Sequence, residues 1–176
     1  MTFLVTARPQ SNEHAPFYGQ YVSRVPDGDL LALLNEQCSA TTALIRRVPA
    51  ERADFSYAPG KWTIKEVVAH LIDVERVMTF RALWFARGDP TALPGFDENA
   101  WATQTGAAGR TLPDLADEFE AVRSSTIHFA SHLSPEMLER RGTSSGQPLS
   151  VRALLYIVAG HERHHAELFR ERYGLR

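Results

Sequence analysis

Apolar residues recur at spacings of three and four in four long stretches of this chain, and the stretches are separated by clusters of Gly, Pro and small polar residues. The first runs from about Asp27, a candidate N-cap, to Val48, where Pro49 stops it; Leu31, Leu34, Cys38, Thr41, Ile45 and Val48 share one stripe. The second follows the turn-like SYAPGKW. There Thr63 caps, Glu66 three residues on completes a capping box, and TIKEVVAHLIDVERVMTFRALWFAR continues to Gly88. The third starts at Thr111, with Pro113 in its first turn, and reaches about Leu133. The fourth opens at Ser150 and runs through VRALLYIVAGHERHHAELFRERY to Gly174. No segment alternates as a half-buried strand would, so the expected class is all-α.

The connections complete the picture. Residues 1–26 are rich in Pro, Gly and polar residues and carry no period, which predicts an irregular N-terminal arm and leaves 27–176 as the folded domain. The segment from Asp89 to Arg110 is too long for a turn, and a short helix is expected within it around Glu98 to Gln104. SPEMLERR predicts a turn or two of helix, and GTSSGQP reads as turns. The expected architecture is an up-down four-helix bundle with a long elaborated connection between helices two and three.

Composition excludes several functions. A chain of 176 residues can bury a core as one domain without disulfides. A net charge of -2 with 23% charged residues provides no basic footprint for a nucleic acid or an anionic membrane. No apolar run approaches the roughly 20 residues of a membrane span, and the first residues lack the pattern of a secretory leader, so a cytoplasmic protein is expected. Cys38 is the only cysteine, and its place on an apolar stripe reads as core filling.

Candidate chemistry centres on HERHH, residues 161–165, which fits the H-E-x-x-H pattern of zinc proteases. Placed on a helical wheel, His165 lies within roughly 10° of the apolar centre of the fourth helix, His161 within about 45°, and His164 about 105° away. His161 and His165 therefore face inward, about 6 Å apart, where two imidazoles can share one ion. His128 and His132 have the same spacing but lie more than about 90° from their helix's apolar stripe, which predicts solvent exposure. A catalytic metal needs a third protein ligand. A metzincin would require glycine at 168 and histidine at 171, where this chain has Leu168 and Glu171. The search therefore moves upstream, and His70, beside the stripe of Val67, Leu71, Val74 and Met78, is the best candidate; alone it would read as a hydrogen-bonded core histidine.

GKWTIKEVVAHLIDVERV, RALWFARGDPTALPGFDENAW and LSVRALLYIVAGHERHHAELFRERYG, taken in order over residues 27–174, resemble the DinB-like superfamily, especially its YfiT-like branch. The resemblance implies a four-helix bundle holding a divalent metal, commonly zinc or nickel, on three histidines: His70 of W-x-x-x-E-V-V-A-H-L, and His161 and His165. It also implies a small-molecule substrate and a homodimer. Members include transferases that use bacillithiol or related low-molecular-weight thiols, a thiol-dependent isomerase, and proteins described as metal-dependent hydrolases.

Three functions follow as expectations. The leading one is a metal-activated thiol attacking an electrophilic small molecule, the sulfur coming from a cosubstrate because Cys38 is unsuited. The second is hydrolysis by a water activated on the metal, with Glu162 as its general base, although helical spacing favours reading Glu162 as the partner of a surface arginine three or four residues away. The third is a metal-stabilised module in stress response or binding, without catalysis. Arg81 is a candidate for an anionic cosubstrate or a solvated charge. Trp84, Phe96, Trp101 and Tyr156 are candidates for an apolar mouth, with core packing as the alternative. Asp73 could orient His70 or pair with Arg76.

Overall fold

The computed structural model describes residues 7–176. Seven helices occur in it: α1 (Gly19–Val22), α2 (Leu30–Arg46), α3 (Ile64–Ala86), α4 (Glu98–Ala102), α5 (Leu112–Ala130), α6 (Pro135–Glu139) and α7 (Val151–Glu171), with strands β1 (Arg141–Ser144) and β2 (Gln147–Ser150) between the last two. The four long helices are those the apolar spacing predicts. Their starts follow capping chemistry. Thr63 Oγ1 accepts from the Glu66 amide while Glu66 returns a carboxylate to the Thr63 amide, and Ser150 and Thr111 cap α7 and α5. The cap of α2 is Asp29 rather than Asp27; its carboxylate accepts from the Leu31 amide.

Cross-helix hydrogen bonds set the helix directions. Gln37 Nε2 donates to the Ala159 carbonyl and Thr41 Oγ1 to Glu162, so α2 and α7 run parallel. Glu75 meets Arg123 and Thr79 meets Thr126, so α3 and α5 also run parallel. Against these, Arg46 reaches Asp117 while Leu34 receives Arg123, which makes α2 and α5 antiparallel. The four-helix bundle and its long second connection are as expected, but a strict up-down alternation is not: the order is up, down, down, up. A parallel α3–α5 pair obliges the chain to retrace a 23-residue helix, roughly 35 Å, before α5 begins. That return is the physical reason for the long connection.

The bundle core divides into two apolar clusters. One surrounds Leu34, Phe85, Leu133, Leu154 and Tyr156; the other surrounds Ile45, Ile64, Leu115, Phe119 and Phe169. Between them lies a buried polar belt: Thr41, Glu75, Arg123 and Glu162, with His70, His161 and His165 beside it.

Two segments differ from expectation. Residues 142–148, read from sequence as turns, belong to an antiparallel hairpin over 141–150 in which Ser144 pairs with Gln147 across Ser145 and Gly146, both at positive φ (54° and 72°), the arrangement of a two-residue primed turn. Gly142 is obligatory there, because a Cβ would sit 2.1 Å from the Phe85 ring. The second is the lead-in. The first six residues of the predicted 1–26 arm lie outside the described residues, but the rest is integral to the domain. Val22 and Val25 are buried in the first cluster. Glu13, buried, accepts from Ser150 Oγ at 2.7 Å and from Arg152 at 2.6 Å, clamping the segment to the start of α7.

The lead-in rests on α7 at Gly160, where a Cβ would fall 2.0 Å from the Tyr21 carbonyl oxygen. Gly160→Ala should therefore push α1 off α7 at a cost of about 1–3 kcal/mol. A urea melt checks this, and an unchanged midpoint would contradict it.

Candidate metal centre

His70 projects from the second turn of α3, and His161 and His165 from adjacent turns of the antiparallel α7. All three are buried, at 5%, 5% and 6% exposure. His161 Nε2 lies 3.0 Å from His70 Nε2 and 3.2 Å from His165 Nε2. A neutral imidazole nitrogen offers either one proton or one lone pair, so hydrogen bonding satisfies three mutually facing Nε2 atoms only in part. A shared cation satisfies all three. Ligand nitrogens about 2.0–2.1 Å from a tetrahedral ion lie roughly 3.3–3.4 Å apart, close to the separations observed. The trio is also the one group of three or more His, Cys, Asp or Glu among the described residues with ligand atoms arranged to hold a metal ion.

The protonation states suit a ligand set. Burial pushes His70 down to about 4, with His164 a smaller cause, and burial pushes His161 and His165 well below their ordinary value. All three are therefore neutral at pH 7. Nδ1 of His165 is buried with no hydrogen-bond partner among the described residues. Packing rather than a second hydrogen bond sets that ring: His164 and His70 stack edge-on to it at 5.1 and 5.0 Å. Tyr21 packs on His161 at 5.3 Å and Trp62 on His70 at 4.7 Å.

Depressed histidine pKa values make the metal-free fold acid-sensitive. The unfolded chain binds protons at these sites near pH 6.5, and the folded chain at His70 only near pH 4. Stability is fully present above about pH 6.5 and falls as pH drops toward 4, by about 3 kcal/mol for His70. Burial raises the Glu162 carboxyl, which acts in the opposite sense, so His70→Ala isolates the histidine contribution. Melting curves of the metal-free protein between pH 7 and 4.5 should shift downward with acid, and less so in His70→Ala. Equal pH profiles for the two proteins would contradict this.

Two chambers reach the trio. One, of about 180 Å³, is lined by Tyr18, Tyr21, Met78, Arg81, Phe96 and Glu98 and ends on His161. The other, of about 230 Å³, is lined by Tyr57, Lys61, Trp62, Asn99 and Tyr173 and ends on His165. Glu98 and Asn99 are consecutive in α4, which thus stands between the chambers. A larger groove between α2 and α7, about 310 Å³, touches none of the three histidines.

The remaining sequence candidates fall on both sides of this geometry. Arg81 lines the first chamber, and Phe96 does too. Trp101 does not line it directly; it packs against Phe96 at 4.8 Å from outside, with 45% of its surface exposed. Trp84 and Tyr156 are corrections. Trp84 packs on Phe80 at the edge of the first core cluster, and Tyr156 is buried inside it; neither lines a chamber. Both lie on apolar stripes, and packing claimed them. The charges acting on Asp73 are those of Arg76 and Glu118, not an imidazole. Cys38 is buried and its thiol is raised to about 11 by burial, as its stripe suggested. His128 and His132 are exposed.

Glu162 is the main correction. Its carboxylate is buried rather than a surface partner, and it faces Thr41 and Arg123. Oε1 accepts from Thr41 Oγ1 at 2.6 Å, and Oε2 lies 2.7 Å from Arg123 Nη1. Sequence reasoning missed Arg123 because a single arginine near an apolar stripe reads as a solvated charge. It missed Tyr18 and Tyr21 because their segment has no period to read.

The helical bundle brings three neutral, converging histidines, a group that could hold a metal ion, to a place that two chambers reach. Residues 33–169 match the model of the DinB superfamily, and the chain belongs to that family. A relative from Geobacillus thermodenitrificans (strain NG80-2), bearing the name "Putative metal-dependent hydrolase", is 26% identical over 142 residues, covering 77% of each chain. YfiT from Bacillus subtilis, described as a probable metal-dependent hydrolase with an unusual four-helix bundle topology, superposes with a TM-score of 0.73 at 17% identity, covering 96% of this chain and 94% of that one. A mycothiol-dependent maleylpyruvate isomerase has the same fold at a TM-score of 0.65 and 15% identity, over 78% of this chain and 58% of the isomerase. No helix among the described residues is long and apolar enough to cross a membrane.

Proposed function

We propose that His70, His161 and His165 hold a divalent metal ion, zinc or nickel, and that the chain catalyses transfer of a low-molecular-weight thiol to an electrophilic small molecule. The carrying observation is the convergence of three neutral imidazoles where two chambers meet. A metal bound there lowers the pKa of a coordinated thiol or water, and three uncharged ligands leave its positive charge undiminished. Two chambers suit two reactants. The chain has no sulfur of its own to use, since Cys38 is buried with its thiol raised to about 11. The likeness to a mycothiol-dependent isomerase supports a small-thiol cosubstrate.

His161 and His165 would fix the site from α7 and His70 from α3, with Trp62 packed on the His70 ring and Tyr21 on the His161 ring. The test is conjugation of bacillithiol, mycothiol or glutathione to a haloaromatic electrophile by metal-loaded protein. Turnover with at least one thiol, lost on metal removal and restored by zinc or nickel, is the expected result. No conjugation above the metal-free control with any thiol would reject the proposal.

Hydrolysis is the second reading, favoured by the names of the Geobacillus and B. subtilis relatives. In either reaction the surroundings of Glu162 speak against a base, because Oε1 accepts from Thr41 and Oε2 lies against the Arg123 guanidinium. Glu162→Gln should cost about 1–3 kcal/mol of stability and leave turnover within a few-fold. A loss of more than about 100-fold at unchanged stability would reinstate it as the base.

A further inference from the structure

Every buried charge among the described residues but one has an ionic partner. Arg123 holds Glu75 and Glu162, Lys65 meets Asp54 at 2.7 Å, and Glu13 meets Arg152. The exception is Arg81. It is 2% exposed, and its guanidinium is held only by neutral groups: Nη2 donates to the Pro94 carbonyl at 3.0 Å, Nη1 approaches the Met78 sulfur at 3.7 Å, and the Tyr18 hydroxyl is a further partner. The Phe96 ring lies 5.6 Å from its charge centre. An uncompensated buried cation is costly, and such a cost persists where the surroundings are built to hold it.

The surroundings of Arg81 are built. The Pro94 carbonyl is fixed because the neighbouring Leu93 is bound on both sides by the hairpin, its amide donating to Thr143 and its carbonyl accepting from Ser145. Ser145, the one non-glycine residue at positive φ among the described residues, also lines the Arg81 chamber. The hairpin thus seats a wall of the same chamber that ends on His161. Glu98 stands on that wall without pairing to Arg81, and it is exposed.

We propose that the Arg81 chamber is an anion-binding subsite that takes the carboxylate of a small acidic ligand and sets the rest of that ligand against the His161 side of the centre. This assigns one of the two reactants of the proposed transfer, or the hydrolysed compound, to the class of small carboxylic acids, and in that respect rests on the function proposed above. The guanidinium supplies two N–H groups to a carboxylate in its own plane, a match that lysine does not reproduce.

Butyrate and its neutral analogue butyramide probe the subsite. Each is titrated by NMR into the full-length protein as purified and again after metal removal. The expected result is a preference for butyrate of at least about tenfold in both forms, equivalent to 1.4 kcal/mol, abolished in Arg81→Met and weakened in Arg81→Lys. Glu98→Gln, at an exposed position, should tighten butyrate binding two- to threefold without affecting butyramide. It keeps the proposal testable if Arg81→Met fails to fold. Equal binding of acid and amide by the wild type, wild-type affinity in a folded Arg81→Met, or no change in Glu98→Gln would overturn the proposal. Butyrate binding that vanishes with the metal and ignores Arg81 would also overturn it while leaving the metal centre standing. Arg81-dependent binding in a protein that takes up no metal would support the subsite and reject the proposed function.

Discussion

Arg123→Met should destabilise the protein by about 3–5 kcal/mol, the largest stability effect expected of any single substitution here. Arg123 crosses the middle of the bundle at 1% exposure. Nε and Nη2 make a two-pronged pair with Glu75, each bond 2.8 Å, and Nη1 serves the Leu34 carbonyl at 2.8 Å and faces Glu162. One side chain thereby joins α5 to α2, α3 and α7. Methionine fills a similar volume, so the loss would come from two carboxylates left in an apolar interior and one carbonyl without a donor. Burial already raises the Glu162 carboxyl even with the guanidinium present. Adding Glu75→Gln and Glu162→Gln to Arg123→Met should therefore recover much of the loss. Urea unfolding followed by circular dichroism reads both effects, and a loss below about 1 kcal/mol for the single variant would show that the belt is not what joins the helices.

His161→Ala should weaken metal binding by more than about 100-fold, exceeding what loss of a residue that only orients a ligand costs. His161 is the middle member of the trio, within 3.0 and 3.2 Å of the other two Nε2 atoms, so its removal leaves two nitrogens that do not enclose an ion. The metal-free variant should fold about as well as the wild type, because the side chain removed is a buried polar ring without a full set of hydrogen bonds. Metal affinity and stability should thus separate in this variant, as they would not if the histidine were merely core. Competition with a chelating dye measures the affinity; a change under about threefold would contradict the assignment.

The histidine site was legible because two independent periodicities agreed. The apolar spacing of residues 151–169 turned His161 and His165 inward, and that of residues 67–78 placed His70 beside a core stripe. Capping residues fixed α3, α5 and α7 to within a residue of their observed starts, since Thr63, Thr111 and Ser150 each satisfy an orphan amide. Direction was not legible: a helix reads alike whichever way it runs in the bundle, and only contacts such as Thr79 with Thr126 reveal the parallel pair. The chamber walls were hidden for a related reason. Tyr18 and Tyr21 lie in single turns too short to show a period, and Ser145 lies in the two-residue turn between strands of only four residues each. Conversely, Trp84 and Tyr156 could be read as mouth or as core packing, because sequence does not tell whether a cavity or a neighbouring side chain meets an aromatic.

The central claim is that His70, His161 and His165 hold one metal ion between them, and the metal content of the protein as purified tests it most directly. Wild type, His70→Ala and His161→Ala are prepared identically and assayed for zinc and nickel per chain. About one equivalent in the wild type, falling below roughly a tenth in each variant, is the predicted result for a three-ligand site. Stoichiometric metal retained in both variants would contradict it.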